Sequence, residues 1–301
     1  MHLVESRPQS GRVETAALPS VVEEKVLRGW TEEIAVPRHF FAQPQANRWV
    51  GDWIGRHFRE LGYSVTAQGP YRNIVALRPN QPRGDVTLIC AHYDSVATTF
   101  GADDNASGVA VMLACAAALV PLDVPVGFVA FNGEEDGLTG SADFISHALA
   151  ALALYPRMTH VLEMVGFASR EPGSQRVPEH LPLTAPPNGD FIGLLTKGRS
   201  NYVADLATRL RSSVTPELGL LTLKAPLGLE RFVPDLLRSD HAPFWRAGLP
   251  AALWTDTGDF RNPNYHQPSD TPATLDYGFM RSLVRLLVAV TSSRSHHRPG
   301  R

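Results

Sequence analysis

The 301-residue sequence predicts an α/β protein. Short runs of strand length alternate with longer helical stretches over most of the chain. Two of the runs, VTLICA and VGFVAF, are apolar throughout, as suits strands covered on both faces. Histidines and carboxylates follow directly after such runs, where an open α/β sheet places its ligand crevice.

Trp49, Val50, Trp53, Ile54, Phe58 and Leu61 recur at helical spacing and stop at Gly62, which predicts an amphipathic helix closed by a glycine cap. Ser64 to Ala67 and Asn73 to Leu77 read as a pair of strands, and Val86 to Ala91 as a buried one. A helix from Ala106 to Leu119, a strand from Val126 to Phe131, a helix from Ser141 to Leu154 and a strand from His160 to Met164 continue the alternation. Pro172, Pro178, Pro182, Pro186 and Pro187 rule out regular structure between Arg170 and Asp190, predicting a long surface loop inside one domain. Phe191 to Leu195, Leu220 to Lys224 and Ala251 to Thr255 read as strands, with helices at Tyr202 to Arg211 and about Phe279 to Thr291. The expected organisation is a loose polar arm over 1–20, a single domain over 21–295 and a tail over 296–301, in which His296 and His297 are solvated.

Composition narrows the function. With 44% hydrophobic and 19% charged residues the chain is of globular type, and a formal net charge of -2 gives no reason to expect nucleic acid or an anionic membrane as partner. No apolar stretch reaches the length of a membrane span, since the run from Val109 to Val120 ends at Pro121. The first twenty residues hold no apolar core of a secretory signal, so the expected location is cytoplasmic. Cys90 and Cys115 lie in apolar runs outside any C-x-x-C spacing and read as small buried side chains rather than a disulfide. The sequence carries no signal of oligomeric state.

Four polar clusters and the single Glu163 are the candidates for the chemistry. His92-Tyr-Asp94 follows VTLICA; positions i and i+2 at a strand end share a side, so the pair suits a metal-bound imidazole and its carboxylate partner, or a capped strand end. Asp103 and Asp104 open the Ala-rich helix and could cap it, but one cap needs only one aspartate; the other is free to bridge two ions. Glu134 and Glu135 follow VGFVAF. In a half-buried crevice they would repel unless cations neutralise them or one takes a proton; alternatively they are exposed acids of the next helix, as Asp136 is read to be. Glu163 ends the strand HVLEM, and Tyr265-His266 lies in a polar loop after AALWT.

His92-Tyr-Asp94-Ser, Gly101-Ala-Asp-Asp-Asn-Ala-Ser-Gly108, Asn132-Gly-Glu134-Glu135-Asp-Gly-Leu, Leu162-Glu163-Met164, Ser239-Asp-His241 and Tyr265-His266 occur in the order seen in the M28 family of zinc peptidases, which the chain resembles over roughly residues 40–290. The resemblance implies a central mixed β-sheet flanked by helices on both faces, and two zinc ions per chain. It implies that His92 and Glu163 bind one ion, Glu135 and His266 the other, and that Asp104 bridges them. Asp94 would support His92, Glu134 would be the general base, and Tyr265 would hydrogen-bond the tetrahedral intermediate. Many well-known aminopeptidases of the family have Asp where this chain has Glu163. The implied function is metal-dependent hydrolysis of peptide bonds at the N-terminus of a peptide substrate.

Two other readings share some of these motifs. A one-zinc glutaminyl cyclase would share the segment around Ser239-Asp240-His241, although Asn-Tyr-His-Gln-Pro-Ser-Asp resembles the peptidase branch. A non-catalytic relative would have lost ligands, whereas all five ligand positions and the base are present. Neither G-x-S-x-G nor H-E-x-x-H occurs, which excludes the corresponding serine hydrolase and thermolysin-type sites. Met164, Trp254, Phe260 and Tyr265 are candidates either for core or for the walls of a pocket for an apolar first residue.

Overall fold

A computed structural model of the chain describes residues 19–79, 84–179, 181 and 184–293. Most of the expected N-terminal arm, and the tail with His296 and His297, lie outside the described residues. Among the described residues, eight strands form one sheet: β1 (Ser64–Gln68), β2 (Asn73–Leu77), β3 (Gly84–His92), β4 (Val126–Phe131), β5 (Leu154–Glu163), β6 (Phe191–Lys197), β7 (Gly219–Ala225) and β8 (Ala251–Thr255). Their spatial order is β1-β2-β4-β3-β5-β8-β6-β7. The central strands β4, β3, β5 and β8 run parallel, while β2 pairs antiparallel with β4 at one side and β6 antiparallel with β8 at the other. The sheet is mixed, as the resemblance implied.

The helices are α1 (Glu24–Ile34), α2 (Pro44–Glu60), α3 (Gly108–Leu119), α4 (Thr139–Asp143), α5 (Leu149–Ala151), α6 (Asn201–Val214), α7 (His241–Arg246) and α8 (Tyr277–Ser292). Period-two alternation sends Ile89 and Ala91 of β3 into a core shared with α1, α2, α3, α6 and α8. Leu88 and Cys90 enter a second core against Phe144, Leu149, Phe244 and Trp245 on the opposite face. Each fully buried large apolar side chain contributes roughly 1.5–3 kcal/mol. Helix α3 is apolar all round and almost wholly buried, as expected of a helix packed between the sheet and other helices. Cys90 and Cys115 are free and buried.

Three elements depart from expectation. Helix α1 was not foreseen, because only Leu27, Thr31 and Ile34 of its eleven residues are buried, too sparse a stripe to stand out. The short α7, containing Pro243, also escaped. Strand β5 starts at Leu154 rather than near His160, despite Pro156. The proline is tolerated because β8 joins β5 only from Thr159, so that Pro156 borders β3 alone, and the register shifts there between Val86 and Thr87. Among the described residues, no helix is long and apolar enough to cross a membrane.

Candidate metal centre

The carboxyl ends of the parallel strands β3, β4 and β5 bring His92, the Glu134–Glu135 turn and Glu163 to one edge of the sheet. Asp104 comes from the turn at 102–107 that enters α3. Gly101 makes that turn possible at φ +59°, where a Cβ would lie 2.4 Å from the Asp104 carbonyl oxygen. His266 arrives from the loop after β8 and stacks on Tyr265 with ring centres 3.8 Å apart.

All five residues expected to bind metal converge. His92 Nε2 lies 3.2 Å from Asp104 Oδ1 and 3.5 Å from Glu163 Oε1. His266 Nε2 lies 3.2 Å from Asp104 Oδ2 and 3.3 Å from Glu135 Oε2. Donors about 2.0–2.1 Å from a tetrahedral zinc are roughly 3.3 Å apart, so these spacings are those of donors facing a common ion. The two oxygens of Asp104 face different histidines, the disposition of a bridge. Among the described residues, Asp104 Oδ1 and His266 Nε2 are buried without a hydrogen-bond partner, which a bound cation would satisfy. Two groups of three potential donors result, His92, Glu134 and Glu163 in one and Asp104, Glu135 and His266 in the other, the donor atoms of each within 4.8 Å. Imidazole and carboxylate donors suit zinc, and the residues present fit a two-zinc centre.

The charges point the same way. Burial pushes Glu134 well above the ordinary carboxylate range; His92 opposes this, while Glu163, Asp240 and Glu135 add like charge. Burial, then the neighbouring Asp104, raises Glu135 to about 7. Asp104 is lowered despite its burial, because His266 and His92 flank it, and His266 is raised in turn to about 10 by Asp104 and Glu135 against the effect of its own burial. Two divalent cations would relieve the repulsion among these carboxylates.

The surrounding contacts are more extensive than the motifs suggested. Asp94, read as a partner of His92, stands 3.5 Å from its Nδ1. Its two oxygens also accept hydrogen bonds from the amides of Glu134 (3.3 Å) and Glu135 (3.2 Å), so one carboxylate orients both glutamates. Ser239 Oγ donates to Glu163 Oε2 at 2.6 Å. Glu163 thus reaches the centre with its extra methylene accommodated. Asp103 does not cap the helix with its side chain; it accepts from Gly166 N and Asn262 Nδ2. Asp270, four residues after His266 in the same loop, accepts from the amides of Asp103 and Asp104. Asp240 is wholly buried and raised to about 7, first by burial. No spacing rule singles out Asp270 or Asp240 in this sequence.

A cavity of about 200 Å³ opens beside the centre, with Asp104, Glu134, Glu135 and Glu163 on one wall. Apolar side chains from β6 and β7, among them Leu195 and Leu223, line it together with Val177 and Leu181 of the proline-rich loop. That loop is held by Arg176 N donating to Phe260 O and by Arg261 Nε donating to Gln175 Oε1. Of the four residues open to either role, Met164, Phe260 and Tyr265 line the cavity. Trp254 does not. It is core, with its indole N–H directed at His160 Nδ1.

Fold and site together define a hydrolase with a binuclear metal centre at the carboxyl edge of an open α/β sheet. Residues 73–291 match Peptidase family M28, and the chain belongs to that family. It is 34% identical to the Escherichia coli protein YfbL over 281 residues, covering 87% of this chain and 84% of that protein. Among solved structures, it superposes on BSAP, a zinc aminopeptidase from Bacillus subtilis, with a TM-score of 0.53 and 29% identity; 72% of this chain matches, but only 48% of that one. A glutaminyl cyclase from Porphyromonas gingivalis superposes with a TM-score of 0.67 over 92% of this chain and 99% of its own, at 18% identity, a likeness of fold alone.

Proposed function

We propose that this metal-dependent peptidase is an aminopeptidase, with Glu134 as its general base. The observation that carries the proposal is Asp104, whose two oxygens face the two donor clusters with Glu134 beside them. In this reading His92 and Glu163 hold one ion, Glu135 and His266 the other, and Asp104 both. When bound, two zinc ions supply an acidified water and a polarised scissile carbonyl. Glu134 accepts the proton of the attacking water and delivers it to the leaving amine as the C–N bond breaks. Tyr265 donates its phenolic hydrogen to the oxyanion of the tetrahedral intermediate. Burial raises the Tyr265 phenol, so it remains a donor at neutral pH. Arg238 Nη2 donates to the phenolic oxygen at 3.2 Å, which leaves the O–H free to turn toward substrate.

Action at the N-terminus is supported by the mixed character of the cavity and by likeness to the Bacillus enzyme. A first residue with an apolar side chain would fill the leucine-lined part, while its ammonium meets the carboxylates on the other wall. The test is a panel of free and N-acetylated peptides. Acetylation removes charged hydrogen bonds worth about 1.5–3 kcal/mol, so kcat/KM should fall by roughly 10–100-fold. Equal cleavage of both series would exclude an aminopeptidase. A metal count on the same preparation separates this reading from a one-zinc cyclase, since two ions per chain are expected.

The cavity itself gives a further expected result. Leu181→Asp places a charge on the apolar wall, and the lost burial of a leucine-sized substrate side chain, about 1.5–3 kcal/mol, should lower kcat/KM for apolar first residues by roughly 10–100-fold. Peptides beginning with alanine should be affected much less. A uniform loss across both substrates would show that the cavity does not receive the first side chain.

A further inference from the structure

Arg38 lies outside every motif that marks the centre, yet its side chain is completely buried. Among the described residues it forms no ion pair. Its guanidinium donates to main-chain carbonyls: Nε to Tyr93 O at 2.6 Å, Nη1 to Phe100 O at 2.7 Å and Val36 O at 3.1 Å, and Nη2 to Gly101 O at 2.8 Å. Tyr93 immediately follows His92, and Gly101 lies shortly before Asp104. A single planar group therefore joins the two ends of the loop over 93–101, and the residues flanking that loop, His92 and Asp104, stand 3.2 Å apart at the centre.

The Arg38 peptide extends the connection. Its N–H donates to Ser95 Oγ at 3.1 Å, and its carbonyl accepts from Asn47 Nδ2 at 2.9 Å. Asn47 in turn exchanges hydrogen bonds of 2.8 and 2.9 Å with Asn132, at the end of β4 just before Glu134. The approach at Gly101 is so close that a Cβ there would lie 2.9 Å from Arg38 Nη1. Burying a guanidinium without a directly paired carboxylate is costly unless its donors are fully satisfied. Burial lowers the Arg38 pKa to about 10, with Asp94, Asp270, Asp104 and Glu135 opposing, so it stays charged at neutral pH.

We propose that Arg38 is a positioning residue of the metal centre, holding His92 and Asp104 at the separation at which they share an ion. The proposal rests on the two-ion reading given above. Lysine cannot replace it: an ammonium presents its donors from one point and cannot span carbonyls at both ends of the loop in one plane.

The test uses the full chain and the variants Arg38→Lys and Arg38→Gln. Zinc affinity is measured by competition with a chelator, the visible spectrum is recorded with cobalt in place of zinc, and folding is followed by circular dichroism at saturating zinc. Loss of a group that orients metal ligands typically weakens metal binding by about 10–100-fold, and that loss is expected for both variants, with an altered cobalt spectrum and KM at saturating zinc within about twofold. Unchanged zinc affinity and cobalt spectrum in a folded variant would overturn the proposal, even if thermal stability fell. So would failure of both variants to fold at saturating zinc, since Arg38 would then be a requirement of the fold. Failure of the two-ion reading shows separately, as a zinc content other than two per chain in the unsubstituted protein.

Discussion

Glu134→Gln is expected to lower kcat by about 10²–10⁴-fold while the protein keeps its metal, because glutamine preserves size and hydrogen bonding but cannot accept the proton of water. The test is sharp because Glu134 stands within 4.8 Å of donor atoms on His92 and Glu163. If it were a ligand, its replacement would deplete the first site. Glu135→Gln provides the contrast. Its Oε2 is 3.3 Å from His266 Nε2, on the side of the second ion, so bound metal should fall and activity should partly return at high zinc. Bound metal and steady-state kinetics are measured for both variants side by side. A Glu134 variant that loses metal while the Glu135 variant keeps it would reverse the two roles, and a nearly fully active Glu134→Gln would remove the base from the mechanism.

Asp104→Ala should have the largest effect on metal content, since its oxygens face both histidines and a single truncation opens both sites. Less than one zinc per chain after dialysis, with activity close to background, is the expected outcome. Asp103→Ala makes a demanding control. It leaves the proposed donors in place but strips partners from the buried Gly166 amide and Asn262 side chain, at about 1–3 kcal/mol for each unsatisfied group. Its melting temperature should therefore drop while zinc binding survives. Retention of both ions by Asp104→Ala, with loss in Asp103→Ala, would move the bridge to the neighbouring residue.

The convergence of the proposed donors was legible in the sequence for a physical reason. Parallel strands collect their carboxyl ends at one edge, so polar residues placed directly after apolar runs were bound to meet, as His92, Glu134, Glu135 and Glu163 do. The groups behind them were not legible. Arg38 and Asp270 act on main-chain amides and carbonyls, and such contacts depend on the path of a loop rather than on residue spacing. Trp254 was ambiguous because β8 is covered on both faces, and an aromatic residue there belongs to either face until the register is known. Pro156 was misleading because its acceptability turns on where β8 begins, which β5 itself does not encode.

The reversal of direction between β8 and β6 divides the labour of the sheet. Every strand that delivers a proposed metal donor or the base lies on the parallel side, whereas β6 and β7 lie beyond the reversal and furnish leucines of the cavity wall. In the proposed function, choice of side chain and cleavage of the bond therefore occupy adjoining but separately built territories. On that reading, exchanging Leu195 or Leu223 for other residues should retune which peptides are taken without disturbing a single proposed donor, so a common reaction centre can serve quite different diets.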